Sequence, residues 1–384
     1  MRATIKPPRR EHPRRLRARR LVLAVAVSGT ALLAAAPAGA SGSGAGPTTA
    51  ALTGTAATPT VAATSSVLPT SPPGGIFGPT SVWRQDVSRA PLAPDSAAKS
   101  AHLFAQVKKY YGQAAFNAYQ YNTSVYTVPA DQPRIDVAFD NCQGKDFIPP
   151  QLFTPSRGGH FLSVPMPDDA IPAAARDAQL TIYSPSTDQL WEFWRAKKTA
   201  DGWSACWGGR LDDVSTSHGF FPDGTGASAS GLAVAAGSIR VEEVQRGYID
   251  HALSLAIPSP AHWKTYSWPA QRSDGGDTSP AAIPEGTRLR LDPSIDVDSL
   301  RLHPIAKMVA RSAQKYGFIV TDKSGAVSIQ TESGRGTWAV TGRDPWPALL
   351  NGPQSAVMKN FPWQSIQVLP HDYGKDGVTA QCRP

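Results

Sequence analysis

Apolar residues fall at helical spacing in two long stretches of the chain and alternate in many short ones. Between Pro94 and Gly112, Leu103, Phe104, Val107, Tyr110 and Tyr111 recur at helical spacing. Asp95 or Ser96 caps the start and Gly112 closes the run. Between His303 and Phe318, Pro304 suits the first turn. Ile305, Met308, Val309, Ser312, Ala313 and Tyr316 form one face there, and Gly317 stops the helix. A shorter helix is expected over 240–247, ending at Gly247.

The rest reads as strand and turn. Residues 180–196 hold two β-rich runs around Pro185-Ser186-Thr187-Asp188, the pattern of a hairpin, and 202–209 adds a third strand to make a meander. Over 248–258, Ile249, His251, Leu253, Leu255 and Ile257 alternate with Tyr248, Asp250, Ala252, Ser254 and Ala256. That predicts one strand with His251 on its apolar face. Shorter strands are expected at 124–129, 134–139, 287–291, 317–322 and 326–332, the last two joined by a hairpin turn at Asp322–Gly325. Many short strands with Gly- and Pro-rich connections point to a mainly β fold. The expectation is an antiparallel β-sandwich, jelly-roll-like, with two or three decorating helices.

The N-terminal end has a different character. Residues 1–20 carry nine Lys/Arg against one acid, Glu11; an apolar run over 21–36 follows, and then Ala38-Gly39-Ala40. A basic segment, a short apolar segment and a small-x-small end predict a secretory signal peptide over 1–40. The apolar run is shorter than the ~20 residues a membrane span needs, so no span is expected after signal removal. Arg19-Arg20 loosely resembles a twin-arginine signal, so the expected location is extracellular by the general secretory or the twin-arginine route. Residues 41–75, dominated by Ala, Thr, Ser, Gly and Pro, predict a disordered linker, and 76–384 a single sandwich domain.

Removing the signal changes the charge picture. The whole chain holds 38 basic and 30 acidic residues; without the signal, 29 stand against 29. A nucleic-acid partner needs a basic footprint, and the neutral mature chain argues against one. Three cysteines remain, Cys142, Cys206 and Cys382, which allow one bridge and one spare thiol. Cys206 has the surroundings of a buried strand residue while the other two lie in polar loops, so Cys142–Cys382 is the expected pair.

Several long phrases occur together and in order: "VYTVPADQPRIDV", "IYSPSTDQLWEFW", "GASASGLAV", "RGYIDHALSLAIP", "WPAQRSDG", "IPEGTRLRLDPSIDV" and "AQKYGFIVTDKSG". In this the chain resembles a family of exported bacterial proteins, common in actinobacteria, over roughly residues 76 to 370. The resemblance implies one extracellular domain and brings no mechanism with it.

Motifs with a built-in mechanism are missing: there is no G-x-S-x-G elbow, H-E-x-x-H helix, calcium loop or phosphate-binding loop. No cofactor is expected, and a metal site from His160, His218, Asp212 and Asp213 lacks any defining spacing. A site must therefore be assembled from distant residues. Glu192 stands in "LWEFW" beside Trp191 and Trp194, where burial would raise a carboxyl pKa and suit it to general acid work. Asp213, after Trp207 and Asp212 in "WGGRLDDVSTSHGF", is the candidate base or nucleophile, and His251 the candidate proton carrier. Trp191, Trp194, Trp207, Asp212 and Tyr248 are candidate substrate contacts, since indole faces stack on sugar rings. Each residue also has a structural reading: Trp191 as core, Glu192 as a solvated charge, the Asp pair as loop formers, His251 as a bonded core histidine. The expectation is a monomer acting on polysaccharide or cell-wall polymer, as a carbohydrate-active enzyme with paired carboxylates or as a non-catalytic glycan-binding module.

Overall fold

The computed structural model describes residues 75–377. The segment assigned to the signal peptide, nearly all of the linker and Cys382 lie outside the described residues. Thirteen strands are present among the described residues: β1 (Ala115–Asn117), β2 (Thr123–Thr127), β3 (Ala138–Phe139), β4 (Gln179–Ser184), β5 (Gln189–Trp194), β6 (Lys197–Thr199) and β7 (Gly202–Ala205) come first. They are followed by β8 (Trp207–Leu211), β9 (Leu253–Ile257), β10 (Arg288–Leu291), β11 (Phe318–Lys323), β12 (Ser328–Gln330) and β13 (Ile366–Val368). The seven α-helices among the described residues are α1 (Ser96–Lys109), α2 (Pro150–Phe153), α3 (Val234–Gly237), α4 (Val241–Arg246), α5 (Pro304–Lys315), α6 (Gly334–Thr341) and α7 (Trp346–Leu350).

The fold is mainly β, in three mixed sheets ordered β1-β12-β9-β11-β10-β13, β2-β4-β5-β8 and β3-β7-β6. Four pairings are parallel: β1 with β12, β9 with β11, β2 with β4 and β3 with β7. The sheets are thus not purely antiparallel. The expected hairpins see only neighbours in sequence, whereas parallel pairs need long crossovers that leave no local signature.

Three expectations change in detail. Residues 202–209 are two strands, not one, because the chain passes from one sheet to another at Cys206. β7 pairs with β6 and β3, while β8 pairs with β5. The strands expected to form a hairpin about Asp322–Gly325 do not pair, because β9 lies between them. The strand expected from residue 248 begins only at Leu253, so His251 stands before it.

Helices α1, α4 and α5 lie where the sequence pattern places them; α2, α3, α6 and α7 are not predicted by it, and Tyr111, read onto the apolar face of α1, lies beyond its end and is exposed. α5 buries Ile305, Met308, Val309, Ser312 and Ala313 against β10 and β9. His303 caps it, its Nδ1 accepting the N–H of Ile305 at 3.2 Å, and Pro304 fills the first turn, where no donor is needed. α1 lies along the edge strand β13, where Ser96 Oγ accepts the Val368 N–H at 2.8 Å and Ser100 donates to the Ile366 carbonyl. That contact covers a sheet edge that would otherwise expose unpaired backbone.

The cysteine pairing is also corrected. Cys142 bonds Cys206, not Cys382. β3 runs parallel to β7 with Phe139 opposite Ala205, and Asp140 N–H donates to the Ala205 carbonyl at 2.8 Å. Two residues later the chain delivers Cys142 to Cys206, at the point where β7 gives way to β8. That register comes from tertiary pairing and could not be read from the polar surroundings of Cys142.

Candidate functional site

Glu192 is fully buried on β5, opposite Thr181 and Gly209. Its two oxygens accept the N–H groups of Ala235 at 2.8 Å and Val234 at 3.0 Å, the open donors in the first turn of α3. Burial pushes its carboxyl up to about 7, against the pull of those N–H groups and that of Ala227. Asp213 is exposed beyond the end of β8, and Asp212 is held at the surface by Arg210 at 3.0 Å and by Gln189 at 2.5 Å. No hydrogen bond or ion pair among the described residues joins any two of Glu192, Asp213 and His251. Trp191 is 1 % exposed and belongs to the core, so its ring faces no solvent. Tyr248 is exposed, with the Arg246 guanidinium 4.3 Å over its ring.

His251 belongs to a closed ionic cluster around α4. Its Nδ1 lies 2.7 Å from the Ala252 carbonyl and its Nε2 3.1 Å from the Glu243 carboxylate, so both ring nitrogens face acceptors and the ring is an imidazolium. Burial alone would push that ring down, but the Glu243 charge and hydrogen bond outweigh it and raise it above its ordinary value. Glu243 also accepts the Arg240 N–H at 2.8 Å, a capping-box contact, and pairs with Arg246 at 3.3 Å. Arg246 reaches Asp250 at 2.8 Å, Asp250 meets Arg84 at 3.2 Å, and Arg240 meets Glu332 at 2.9 Å. Each carboxylate here has a cation, and each cation a carboxylate.

A second cluster is built differently, where β11, the 223–230 loop and the 271–286 loop meet. Ser230 joins the three: its N–H donates to the Thr321 carbonyl at 3.3 Å, and its own carbonyl accepts the Gln271 N–H at 2.8 Å. β11 shifts register between Val320 and Asp322, a bulge that re-aims the Asp322 side chain. Asp322 accepts the N–H groups of Ala229 at 3.1 Å and Lys323 at 2.9 Å. Burial, then the charge of Asp274, pushes it up to about 7 against those two donors.

Glu285 lies beside it with 0 % exposure. Asp274 and Ser273 face its carboxyl, yet neither oxygen has a protein hydrogen-bond partner of good geometry. Burial first, then Asp274 and the charge of Asp322, pushes Glu285 up to about 10, so it is a neutral acid at pH 7. Gly286 fixes the turn that carries it: its φ is +88°, and a Cβ there would stand 1.7 Å from the Ser267 carbonyl oxygen.

Arg272 is the cation within this group. Its Nη2 donates to the carbonyls of Ser228 at 2.7 Å and Gly226 at 3.4 Å, while its Nε has no partner. Burial lowers its pKa, with Asp322, Glu285, Asp274 and Asp223 pulling the other way. Asp223 is itself pinned. His160 Nδ1 accepts the Arg210 N–H at 2.9 Å, which places the ring proton on Nε2, 2.7 Å from Asp223. Thr225 donates to the other Asp223 oxygen, through its hydroxyl at 2.6 Å and its N–H at 3.1 Å. Burial would raise Asp223, but the bonds from His160 and Thr225 hold it down at about 2.

Two of the sequence candidates are brought here. Trp194 and Trp207 stand opposite each other on β5 and β8, and both are half-buried. The Arg272 guanidinium lies 5.8 Å over the Trp207 ring, and Trp194 Nε1 donates to Asp177 at 3.1 Å. The charge of Asp177 acts in turn on Asp322. On the other flank, the backbone N–H of the 52 % exposed Trp263 donates to the Gly275 carbonyl at 3.0 Å, one residue from Asp274, with Tyr266 also exposed nearby in sequence.

Asp274, Glu285, Asp322, Arg272 and Asp223 were not singled out from the sequence. One signal did exist: Glu285 follows the apolar run Ala281-Ala282-Ile283-Pro284, the same kind of setting that drew attention to Glu192. Comparison with known proteins found no match among family models, curated proteins or solved structures.

Proposed function

We propose that this is an exported protein that acts on an extracellular polysaccharide by acid–base chemistry at Asp274, Glu285 and Asp322. The observation that carries the reading is Glu285, a fully buried carboxyl that faces Asp274 and Ser273 without a hydrogen bond of good geometry and lies in the field of Asp322. Carboxyls whose surroundings push their proton affinities apart are the raw material of glycoside cleavage. Asp322, partly exposed and raised to about 7, can hold a proton near neutral pH and give it to a leaving oxygen. Asp274, exposed, supplies the partner carboxylate as base or nucleophile. Glu285 stays neutral and gives that pair a carboxyl neighbour without adding charge. Trp194 and Trp207 offer indole edges for sugar contact. Export is supported by the N-terminal pattern and by the Cys142–Cys206 bridge, which suits an oxidising compartment. The finer fold reading, a jelly-roll-like sandwich in a monomer, belongs to this proposal.

The test is reducing-sugar release and a scan for unsaturated products on a panel of polysaccharides, with wild type, Asp274→Asn and Asp322→Asn. Each substitution is expected to lower turnover about 10²- to 10⁴-fold with the folded state kept. A non-catalytic module is the second reading, favoured by the exposed rings of Trp263 and Tyr266. Binding without turnover, unchanged by both substitutions, would establish that reading instead.

A further inference from the structure

The two sulfurs of the Cys142–Cys206 bridge have unlike surroundings. Cys206 is 1 % exposed, at the point where β7 gives way to β8, and its N–H donates to the Trp194 carbonyl at 3.1 Å. Cys142 is half-buried, in the polar loop that follows β3. Arg195 reaches it directly, its Nη1 donating to Cys142 Sγ at 3.1 Å. Among the described residues that sulfur is the guanidinium's one hydrogen-bond acceptor, and no carboxylate forms an ion pair with Arg195.

The guanidinium is also held in place. It lies 4.7 Å over the Trp194 ring, and the Arg195 backbone N–H donates to the Asp177 carbonyl at 2.7 Å. Arg195 takes a left-handed φ of +56°, which glycine adopts with less strain. A cation thus occupies a position where the backbone alone favours glycine. The other charges of this region have their own engagements. Asp140 pairs with Lys197 at 2.8 Å, Asp177 accepts from Trp194 Nε1 at 3.1 Å, Lys145 lies over Trp207, and Asp146 is exposed.

A thiolate beside a fixed guanidinium is stabilised at neutral pH, while a thiol in apolar surroundings keeps its proton. Once reduced, such a pair divides the two roles of thiol–disulfide exchange between an accessible nucleophile and a buried partner.

We propose that Cys142 and Cys206 form a thiol–disulfide exchange site for the disulfides of low-molecular-weight thiols, with Cys142 as the attacking thiolate, Cys206 as the resolving thiol and Arg195 positioned to stabilise Cys142.

In the first step the Cys142 thiolate attacks one sulfur of the external disulfide, whose S–S bond breaks to release one thiolate. Cys206 then loses its proton to solvent and attacks Cys142 Sγ, closing the bridge and expelling the second thiolate. The two cysteines are oxidised by two electrons, and the external disulfide is reduced to two thiols.

The test uses the purified full chain, reduced and freed of reductant, then exposed to oxidised glutathione and quenched with acid. Peptide mass mapping reads Cys142, Cys206 and Cys382 separately. Cys206→Ser is expected to accumulate a mixed disulfide on Cys142, whereas Cys142→Ser should be modified on Cys206 at least about tenfold more slowly. In the Cys206→Ser chain, the pH midpoint of Cys142 alkylation by iodoacetamide should lie below its value in the urea-unfolded chain. Arg195→Met should raise that midpoint by about one unit or more, and Arg195→Lys should restore part of the difference. If a variant fails to fold, a brief iodoacetamide pulse on the reduced wild type serves, with Cys142 expected to label well ahead of Cys206. Equal rates at the two cysteines in the folded chain overturn the proposal, as does a Cys142 midpoint that neither folding nor Arg195→Met moves.

Discussion

Two buried ionic clusters in one chain follow opposite rules. Around α4, Glu243, Asp250 and Glu332 are matched by Arg84, Arg240, Arg246 and His251 in direct contacts. Around Arg272, the charges of Asp322, Glu285, Asp274 and Asp223 act on one guanidinium, and neither Glu285 oxygen makes a hydrogen bond of good geometry. Burying charge is tolerable where partners satisfy it and costly where they do not. The balanced cluster is therefore an element of structure. The other carries an uncompensated burial cost at Glu285.

Glu243→Gln should break the balanced cluster most severely. It strands a buried imidazolium, and a loss of about 3 kcal/mol is expected in denaturant unfolding near pH 6. The wild-type pair has a definite pH signature. Because His251 is raised in the folded state, its contribution is full below pH 6.5, the ordinary histidine value, and is lost as pH rises through the folded value. The variant should lack that decline, and an unchanged stability–pH curve would refute the pairing.

Glu285→Gln should act in the opposite direction. An acid raised from 4.5 to about 10 obliges the folded state to keep a proton that the unfolded chain releases, so stability falls as pH rises across that range. Replacing a neutral carboxyl with a neutral amide removes that cost. A gain on the order of 1–3 kcal/mol at pH 7 is expected, larger at pH 8 than at pH 6. If the variant is instead less stable at pH 8, Glu285 is ionised and the contrast between the clusters collapses.

The smallest effect should come from the edge of the balanced cluster. Tyr248 is 56 % exposed and touches it only through the stacked Arg246. Tyr248→Ala should change the unfolding free energy by less than about 0.5 kcal/mol. A larger loss would mean that Arg246 depends on the ring for its placement against Glu243 and Asp250.

Much of this architecture is written locally. α5 starts and stops where its cap and glycine indicate, α1 starts at Ser96 but ends at Lys109, ahead of Gly112, and the β4–β5 hairpin turns at its Pro-Ser-Thr-Asp stretch. What escapes a reading along the chain is placement that depends on distant partners: the sheet change at Cys206, the insertion of β9 between β11 and β12, and the Cys142–Cys206 bond. The site escapes for the same reason. Asp223, Arg272, Glu285 and Asp322 come from separate loops and a bulged strand, and nothing in their spacing announces that they meet. Glu192 shows the converse. An acid among aromatics does sit buried with a raised pKa, but α3 supplies the donors that occupy it.

The parallel pairing of β1 with β12 bears on how the molecule is made. Ala115 aligns with Ser328, so the first strand to emerge during synthesis waits for nearly the whole domain before it has a place. β9 likewise waits for β11, and β2 for β4. A sheet completed by contacts this far apart in sequence closes late and slowly.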